Sequence, residues 1–294
     1  MTTRIRIAVC TNRPPAAVAE ALGAIATHCP DAPRALVASG LDATAVAAHR
    51  VAAPGWEVLS EPRPGLSLAR NVALAWAEDD HDILAFVDDD AVVDPGWGAA
   101  LAARWDAAPG EVAVIGGPIR PRFDTPPPSW VSDAILPALT LLDRGPEARD
   151  LDPDVEAVYG ANISFRAGPL RAIGGFDPAL GHSGGRIYFA EEDEAQRLLV
   201  ARGFRVRYVP DAGVLHVIPP ERLTRGSFVR RRYAFGKALG ARGGRARGVA
   251  AREMTRSALG ALVARDGRKR MERVVRAAEN AGVVYASTRP RRIA

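Results

Sequence analysis

The sequence predicts an α/β fold in which a mostly parallel sheet is flanked by helices and followed by a helical C-terminal extension. Short apolar runs such as Ile5–Cys10 and Ile83–Val87 alternate with longer helical segments, and this alternation is typical of parallel sheets. The chain has 294 residues, of which 48% are hydrophobic and 25% charged. It can therefore bury a core as one large domain or as two small ones.

The first half of the chain supplies most of the predicted strands. Turn-forming residues at Thr11–Pro15 separate the first strand from an Ala-rich helix that runs to about His28. Ser67 can cap a helix that continues through Glu78. The other predicted elements are, in order, strands Arg34–Ala38, Trp56–Ser60 and Ile83–Val87, helix Gly96–Ala107 and strand Val112–Ile119.

The second half predicts two further kinds of region. Proline and acidic residues concentrate in Pro121–Glu156, which predicts an irregular insertion in a domain that spans residues 1–220. Beyond Pro220 the pattern is helical with a break at Gly240–Gly248, so residues 221–294 form the predicted extension. The regular elements between them are strand Val158–Arg166, a helix near Pro169–Ile173, a glycine-rich loop at Gly181–Gly185, helix Glu191–Arg202 and strand Arg205–Val209.

Cysteine and hydropathy patterns narrow the cellular setting. The two cysteines, Cys10 and Cys29, are too few for a disulfide framework or a four-cysteine zinc site, which favours the reducing cytoplasm. No apolar run approaches the length of a membrane-spanning helix, and the first residues lack the apolar core of a signal peptide. We also expect His28, His49 and His81 at the surface.

Positive charge is concentrated in the predicted extension. Residues 221–294 contain 20 Lys and Arg against 5 Asp and Glu, whereas residues 1–220 contain 19 against 29. This asymmetry is consistent with peripheral docking on the anionic inner face of a membrane. A helix packed on the rest of the chain, or on a second copy in a homodimer, is an equally weighted alternative.

Three consecutive carboxylates, Asp88–Asp90, follow the apolar run Ile83–Val87 directly. They stand at the carboxyl end of a predicted strand, which is where open α/β sheets bind ligands. Adjacent anions repel one another unless a cation or hydrogen-bond donors offset the repulsion, and hard oxygen ligands favour Mg²⁺ or Mn²⁺. The sequence therefore predicts a divalent-metal site here.

Four motifs occur in an order that resembles glycosyltransferase family 2. They are Glu61–Asn71, Phe86–Asp90, Gly160–Arg166 and Gly174–Asp177. The resemblance covers about Arg4 to Pro220. It implies a GT-A fold and a metal-dependent, inverting transfer of a sugar from a nucleotide-diphospho-sugar donor to an acceptor hydroxyl, in glycan, glycolipid or glycoconjugate synthesis.

The resemblance also assigns residues to the nucleotide and the donor sugar. Asp88 matches the carboxylate that contacts the nucleoside, and a UDP-sugar is the favoured donor. Ser39 stands where the family usually places an Asp that contacts the base, which makes the identity of the base less certain. The positions assigned to the nucleotide and donor are Thr11, Asn12, Arg13, Ser39, Arg70, Asp88, Asp89, Gly160, Ala161, Asn162 and Arg231.

Metal ligands and a general base follow from the same resemblance. Asp90 matches the carboxylate that binds the metal bridging the diphosphate, and His216 matches a histidine that often completes the site. Within Glu191–Glu194, the spacing to the next strand makes Glu192 the base that follows Glu191. A shift of one residue makes Asp193 the base instead, and both remain open.

Two other functions fit parts of the sequence. A sugar-phosphate nucleotidyltransferase also uses an α/β nucleotide domain and Mg²⁺, but it needs a Gly-rich phosphate loop where this chain has Thr11–Pro15. A nucleic-acid-binding protein would use the Arg-rich extension, but few aromatic residues are interleaved with its charges for stacking. We therefore expect no nucleic-acid partner. The acceptor is not specified by the sequence, although Pro121–Glu156 is the expected acceptor-side loop.

Overall fold

The computed structural model describes residues 4–180, 191–241, 243 and 245–288. The strands of the described residues are β1 (Ile5–Thr11), β2 (Arg34–Ser39), β3 (Glu57–Glu61), β4 (Ile83–Val87), β5 (Ala91–Val93), β6 (Val112–Gly116), β7 (Ile119–Phe123), β8 (Arg149–Leu151), β9 (Asn162–Arg166), β10 (Arg205–Tyr208) and β11 (Val214–Ile218). The α-helices are α1 (Pro15–His28), α2 (Ala43–Ala52), α3 (Leu66–Trp76), α4 (Trp97–Asp106), α5 (Ala167–Ala172), α6 (Glu191–Val200), α7 (Arg225–Ala241), α8 (Arg247–Val263) and α9 (Gly267–Ser287).

The main sheet has eight strands in the order β3-β2-β1-β4-β9-β6-β10-β8. Strands β3, β2, β1 and β4 are parallel neighbours, and β10 is parallel to β6. Strand β9 is antiparallel to both β4 and β6, and β8 is antiparallel to β10 at one edge. The predicted fold class, a mostly parallel sheet with flanking helices and a helical C-terminal region, is confirmed. A second sheet has the order β5-β11-β7.

Contacts between residues divide the chain into two compact units. The first contains the described residues of 4–121, 142–180 and 191–217, and the second contains those of 122–141 and 218–288. The second unit therefore takes a segment from the predicted insertion as well as the predicted extension. Its core explains this division, because Ile135 and Leu139 pack with Phe228, Met271 and Val275.

The core of the first unit lies against β4 and β9. All five residues of β4 are buried, and the rings of Phe86, Phe165 and Phe176 meet edge to face with centroids 5.6–6.2 Å apart. Helix α4 packs on the same region, where the Trp105 indole N–H donates to the Ser164 hydroxyl at 2.9 Å. These contacts fix the strands whose ends carry the candidate site.

The structure corrects several predicted elements. The predicted strand Val112–Ile119 is two strands, β6 and β7, because Gly117 and Pro118 interrupt it. Strand β5 was missed, since its three residues follow the Asp triplet and give too short a pattern. The region Pro121–Glu156 is not wholly irregular, because it contains a 3₁₀ helix at Asp133–Leu139 and strand β8. The predicted loop Gly181–Gly185 lies outside the described residues.

Helix length and hydropathy also bear on membranes. Among the described residues, no helix is both long enough and apolar enough to cross a lipid bilayer.

Candidate active site

The candidate site lies where the carboxyl ends of β1 and β4 meet. The two strands are parallel neighbours, with Ala8 opposite Phe86, so the residues that follow them come together. Thr11 at the end of β1 and Asp89 after β4 illustrate this, because the Thr11 hydroxyl donates to Asp89 Oδ2 at 2.5 Å. Parallel strands thus bring together side chains that are 78 positions apart in the chain.

The loop after β1 is tied to the same carboxylates by Arg13. The Arg13 backbone N–H donates to Thr11 Oγ1 at 3.0 Å. The guanidinium Nη1 lies 3.4 Å from Asp89 Oδ1 and 3.9 Å from Asp90 Oδ2. Asn12, between them, is exposed. The loop therefore presents one exposed amide side chain and one cation beside three carboxylates.

Arg70 on α3 is the buried cation of the site. Its guanidinium, 2% exposed, lies with Nη1 3.0 Å from Glu191 Oε1 and 3.6 Å from Glu192 Oε2, and with Nη2 3.8 Å from Asp88 Oδ1. It also lies over the rings of Phe86 and Phe176, 5.6 Å from each centroid. Burial opposes the charged form, but Glu191, Glu192 and Asp88 hold the pKa of Arg70 above its ordinary value.

Gly160 and Glu192 lie against this arginine. A Cβ on Gly160 would come within 2.0 Å of Arg70 Nη2, so only glycine lets the backbone approach so closely. The Gly160 N–H donates to Glu192 Oε1 at 3.4 Å. Gln196, one turn further along α6, donates to the Val158 and Glu192 carbonyl oxygens at 3.0 Å. These bonds tie α6 to the segment that precedes β9.

Asp90 and His216 form a second pair in the site. His216 on β11 lies opposite Ala91 on β5, and its Nε2 is 3.3 Å from Asp90 Oδ1. One carboxylate oxygen and one imidazole nitrogen are competent ligands for Mn²⁺ and Mg²⁺. Across the described ranges, no group of three or more His, Cys, Asp and Glu side chains could hold a metal by itself.

Burial changes the acidity of three groups in the site. It raises the pKa of Asp88 to about 6, with Arg70 opposing this rise and the Asp90 carboxylate adding to it. Burial also raises the pKa of Asp89, although the hydrogen bond from Thr11 lowers it. The pKa of the Cys10 thiol rises to about 12 for the same reason, so this thiol is protonated and unreactive at neutral pH.

Two residues assigned to the donor have structural partners instead. The amide N–H₂ of Asn162 donates to the carbonyl oxygens of Pro118 and Ala212 at 3.1 and 2.7 Å, and its Oδ1 accepts from Trp97 at 3.1 Å. These interior partners hold the amide in place, and its predicted contact with the donor sugar stays a prediction. Ser39 is also buried, and its hydroxyl oxygen accepts from the Gly65 N–H at 3.2 Å.

Three further assigned residues have different surroundings. Ala161 is fully buried and offers no side-chain contact to a ligand. Arg231 belongs to the second unit, where its guanidinium donates to the Ala138 carbonyl oxygen and to the Thr140 hydroxyl, each at 2.7 Å. Asp193 is half-buried on α6. The roles of Arg231 and Asp193 stay predictions.

His49 on α2 is a residue that the sequence interpretation missed. It was expected at the surface, but its side chain is fully buried. Its ring Nε2 lies 2.9 Å from the Arg13 carbonyl oxygen, to which it donates, so it supports the loop after β1. Helical spacing in the sequence could have indicated this burial. His49 lies three positions after Val46 and four before Ala53, and both of these apolar residues are buried.

Comparison with protein families shows which family the chain resembles. The family described as Glycosyl transferase family 2 matches residues 36–174. This stretch includes Arg70, Asp88–Asp90 and Gly160, and it ends before Glu191. The chain carries a family 2 glycosyltransferase domain. The resemblance predicted from the four motifs is thereby confirmed.

The names of two curated relatives refer to a glucuronosyltransferase and to succinoglycan biosynthesis. The chain is 30% identical over 136 residues to a glucosyl-dolichyl phosphate glucuronosyltransferase of Haloferax volcanii, which is 46% of this chain and 42% of the relative. It is 27% identical over 183 residues to the succinoglycan biosynthesis protein ExoM of Rhizobium meliloti, which is 61% of this chain and 53% of the relative. The chain therefore spans about half the length of the curated relatives that it matches.

Solved structures share the GT-A fold of this family 2 glycosyltransferase domain. The chain resembles GalNAc-T7 crystallised with UDP, GalNAc and Mn²⁺, with a TM-score of 0.54 and 14% identity over 82% of this chain and 50% of that one. It also resembles residues 1–349 of S. aureus TarS in complex with UDP, with a TM-score of 0.52 and 14% identity over 97% of this chain and 90% of that one. At these identities the likeness establishes the fold.

Proposed function

We propose that the chain is a metal-dependent, inverting glycosyltransferase that moves a sugar from a nucleoside diphosphate to an acceptor hydroxyl. The observation that carries this proposal is the arrangement around Arg70. This one buried guanidinium lies beside Asp88, which follows β4, and beside Glu192 on α6. The Arg70 guanidinium thus lies beside both the carboxylate expected to contact the nucleotide and the candidate base. The family match favours this reading over a nucleotidyltransferase.

Asp90 and His216 are the residues that would hold the divalent metal. Their oxygen and nitrogen atoms suit Mn²⁺ or Mg²⁺. A metal bound there would offset the negative charge that develops on the departing nucleoside diphosphate. The loop Thr11–Arg13 and Asp88 would contact the nucleoside. We propose a UDP-sugar as the donor, because GalNAc-T7 and TarS of this fold were crystallised with UDP.

Glu192 is the proposed general base. Its neighbour Glu191 is only 2% exposed and forms the shorter contact with Arg70, whereas the Glu192 side chain keeps 13% of its surface. Glu192 takes the proton from the acceptor hydroxyl as that oxygen bonds to the anomeric carbon. The bond from this carbon to the diphosphate oxygen breaks on the opposite side, so the configuration inverts. We propose a saccharide acceptor in glycan or glycoconjugate synthesis, as the names of the curated relatives suggest.

Nucleotide binding tests the donor and metal parts of the proposal. Thermal shift and calorimetry compare UDP, GDP, ADP, CDP and dTDP with Mn²⁺, with Mg²⁺ and with EDTA, because a ligand of the folded state raises its stability. We expect one diphosphate to bind only with metal, and Asp90→Ala to abolish this binding. Equal affinity in Mn²⁺ and in EDTA would contradict metal dependence.

Transfer from the donor identified in this way tests the base. Glu192→Gln preserves the shape of the side chain but cannot take a proton, so we expect transfer to fall by about 10²- to 10⁴-fold with donor affinity unchanged. Asp193→Asn is the matched variant on the same helix and should cost far less. The reverse order of the two effects would make Asp193 the base.

A further inference from the structure

Helix α8 in the second unit carries an unusual outer surface. Its buried residues, Ala250, Ser257 and Ala261, are small, and they face α9. The opposite side, which we call the α8 outer face, carries six side chains at helical spacing: Val249, Arg252, Arg256, Leu259, Leu262 and Val263. The four aliphatic members are 53%, 60%, 78% and 76% exposed, in chain order.

Aliphatic side chains of this size are usually buried in a helical protein. Here the larger apolar side chains of α8 point outward and the smaller ones inward, which reverses the pattern of a helix that only packs on its own unit. Contiguous exposed apolar surface marks an interaction site. The described residues of α8 therefore contribute a surface with a use outside the fold of the second unit.

Charge identifies the chemistry of the partner. Residues 247–270 contain seven Lys and Arg against one Glu and one Asp. Two of these cations, Arg252 and Arg256, lie within the apolar surface, and the side chain of Arg256 is 82% exposed. Arg265 and Lys269 extend the positive region beyond the end of the helix and are also exposed.

We propose that the α8 outer face docks on an anionic lipid bilayer. Aliphatic side chains interleaved with arginines let a helix lie in the plane of the membrane interface, with Leu259, Leu262 and Val263 in the acyl boundary. The guanidinium groups then lie at the level of the anionic headgroups, while their hydrocarbon stems remain in the apolar zone.

Two other partners fit the surface less well. In a symmetric contact with a second copy of this chain, Arg252 and Arg256 would face the same arginines of that copy, and like charges oppose such a contact. A nucleic acid would need aromatic side chains for stacking, and residues 247–270 contain none. A bilayer accommodates both the charge and the aliphatic groups.

Vesicle co-sedimentation of the full chain tests the proposal. The vesicles contain either pure phosphatidylcholine or phosphatidylcholine with about 30 mol% phosphatidylglycerol. Each is tested at about 20 mM and about 150 mM salt. We expect binding to the anionic vesicles only, stronger at the lower salt concentration. Backbone hydrogen exchange in 247–263 should slow when anionic vesicles are added.

Two variants separate the apolar and charged contributions. One is the triple change Leu259→Ser, Leu262→Ser and Val263→Ser, and the other is Arg252→Gln with Arg256→Gln. Each should weaken binding to anionic vesicles by about tenfold or more. The control is Arg50→Gln with Val51→Ser on α2, which removes one exposed cation and one side chain that is 84% exposed, and should bind as the parent does.

Three results would overturn the proposal. The first is no sedimentation with anionic vesicles at the lower salt concentration. The second is undiminished binding by both α8 variants while circular dichroism shows that they are folded. The third is a change from dimer to monomer in the α8 variants, measured by sedimentation velocity, in a parent that ignores lipid, since a second copy would then cover this face. If the variants do not fold, the hydrogen-exchange result on the parent decides.

Discussion

Arg70 and Arg231 are two guanidinium groups that the sequence assigned to the same donor, yet their surroundings differ in kind. Arg70 is 2% exposed and lies within 4 Å of three carboxylates in the first unit. Arg231 is half-buried in the second unit and donates to a main-chain carbonyl oxygen and a hydroxyl. The first arginine balances charge, whereas the second satisfies neutral acceptors at the end of a 3₁₀ helix.

The difference shows what each position requires of its side chain. At Arg70 the positive charge itself is needed, because the guanidinium lies 3.0 Å from the equally buried carboxylate of Glu191. At Arg231 the directed N–H groups are needed, because they support Thr140, whose backbone has a φ of 61°. Such a left-handed conformation is unfavourable for a β-branched residue. Substitutions at these two arginines test this contrast, and a substitution at His49 extends it to the support of the β1 loop.

The largest effect is expected for Arg70→Met. Methionine fills much of the same volume but removes the cation beside the buried Glu191 carboxylate, so the free energy of unfolding should fall by about 3–5 kcal/mol. Urea denaturation measures this change. Arg70→Met with Glu191→Leu removes both charges and should recover part of the lost stability, although not transfer activity. A single variant as stable as the parent would show that the charge at this position is not needed for folding.

A smaller effect is expected for Arg231→Met. Two hydrogen bonds to neutral acceptors are lost, so the free energy of unfolding should fall by about 1–2 kcal/mol. Donor affinity should be unchanged, as measured by calorimetry. The matched variant Thr140→Gly relaxes the φ requirement and should lessen the cost of Arg231→Met when the two are combined. A loss of donor affinity in Arg231→Met would restore its predicted role at the diphosphate.

The smallest effect is expected for His49→Leu. Leucine keeps the apolar packing of α2 but cannot donate to the Arg13 carbonyl oxygen, so the β1 loop loses about 0.5–1.5 kcal/mol of support. Steady-state kinetics should show a few-fold higher KM for the donor with kcat almost unchanged. His49→Gln can donate from its amide and should restore the parent KM. Equal KM values for the leucine variant and the parent would show that the loop holds its position without this bond.

Local patterns in the sequence were sufficient for most strands of the main sheet but not for the division into units. The strands β1, β2 and β4 appear as apolar runs of about the right length, because each is buried in a parallel sheet. Membership of residues 122–141 in the second unit could not be predicted, since it depends on Ile135 and Leu139 meeting Met271 and Val275 far along the chain. The three-residue strand β5 is too short for any periodicity to show.

The candidate site shows the same limit at the level of single residues. The Asp triplet and Arg70 could be identified because their motifs are contiguous. Asn162 was assigned to the sugar because an amide suits hydroxyl groups, but the motif does not reveal that Trp97, Pro118 and Ala212 already occupy its hydrogen-bonding groups. Whether a polar side chain is available to a ligand depends on neighbours that are distant in sequence.

The pairing of Arg70 with Glu191 joins residues 121 positions apart, and this separation sets a lower bound on the length of a fragment that can fold. A piece limited to the family-matched residues 36–174 would contain the buried arginine without either glutamate, and without the strand β1 that lies beside β4. The guanidinium, left with Asp88 as its remaining carboxylate neighbour of the three, and the exposed edge of β4 would both oppose folding. During synthesis, the chain must therefore extend past α6 before the guanidinium can be buried, and the first unit cannot complete its core while it is still being made up to that helix.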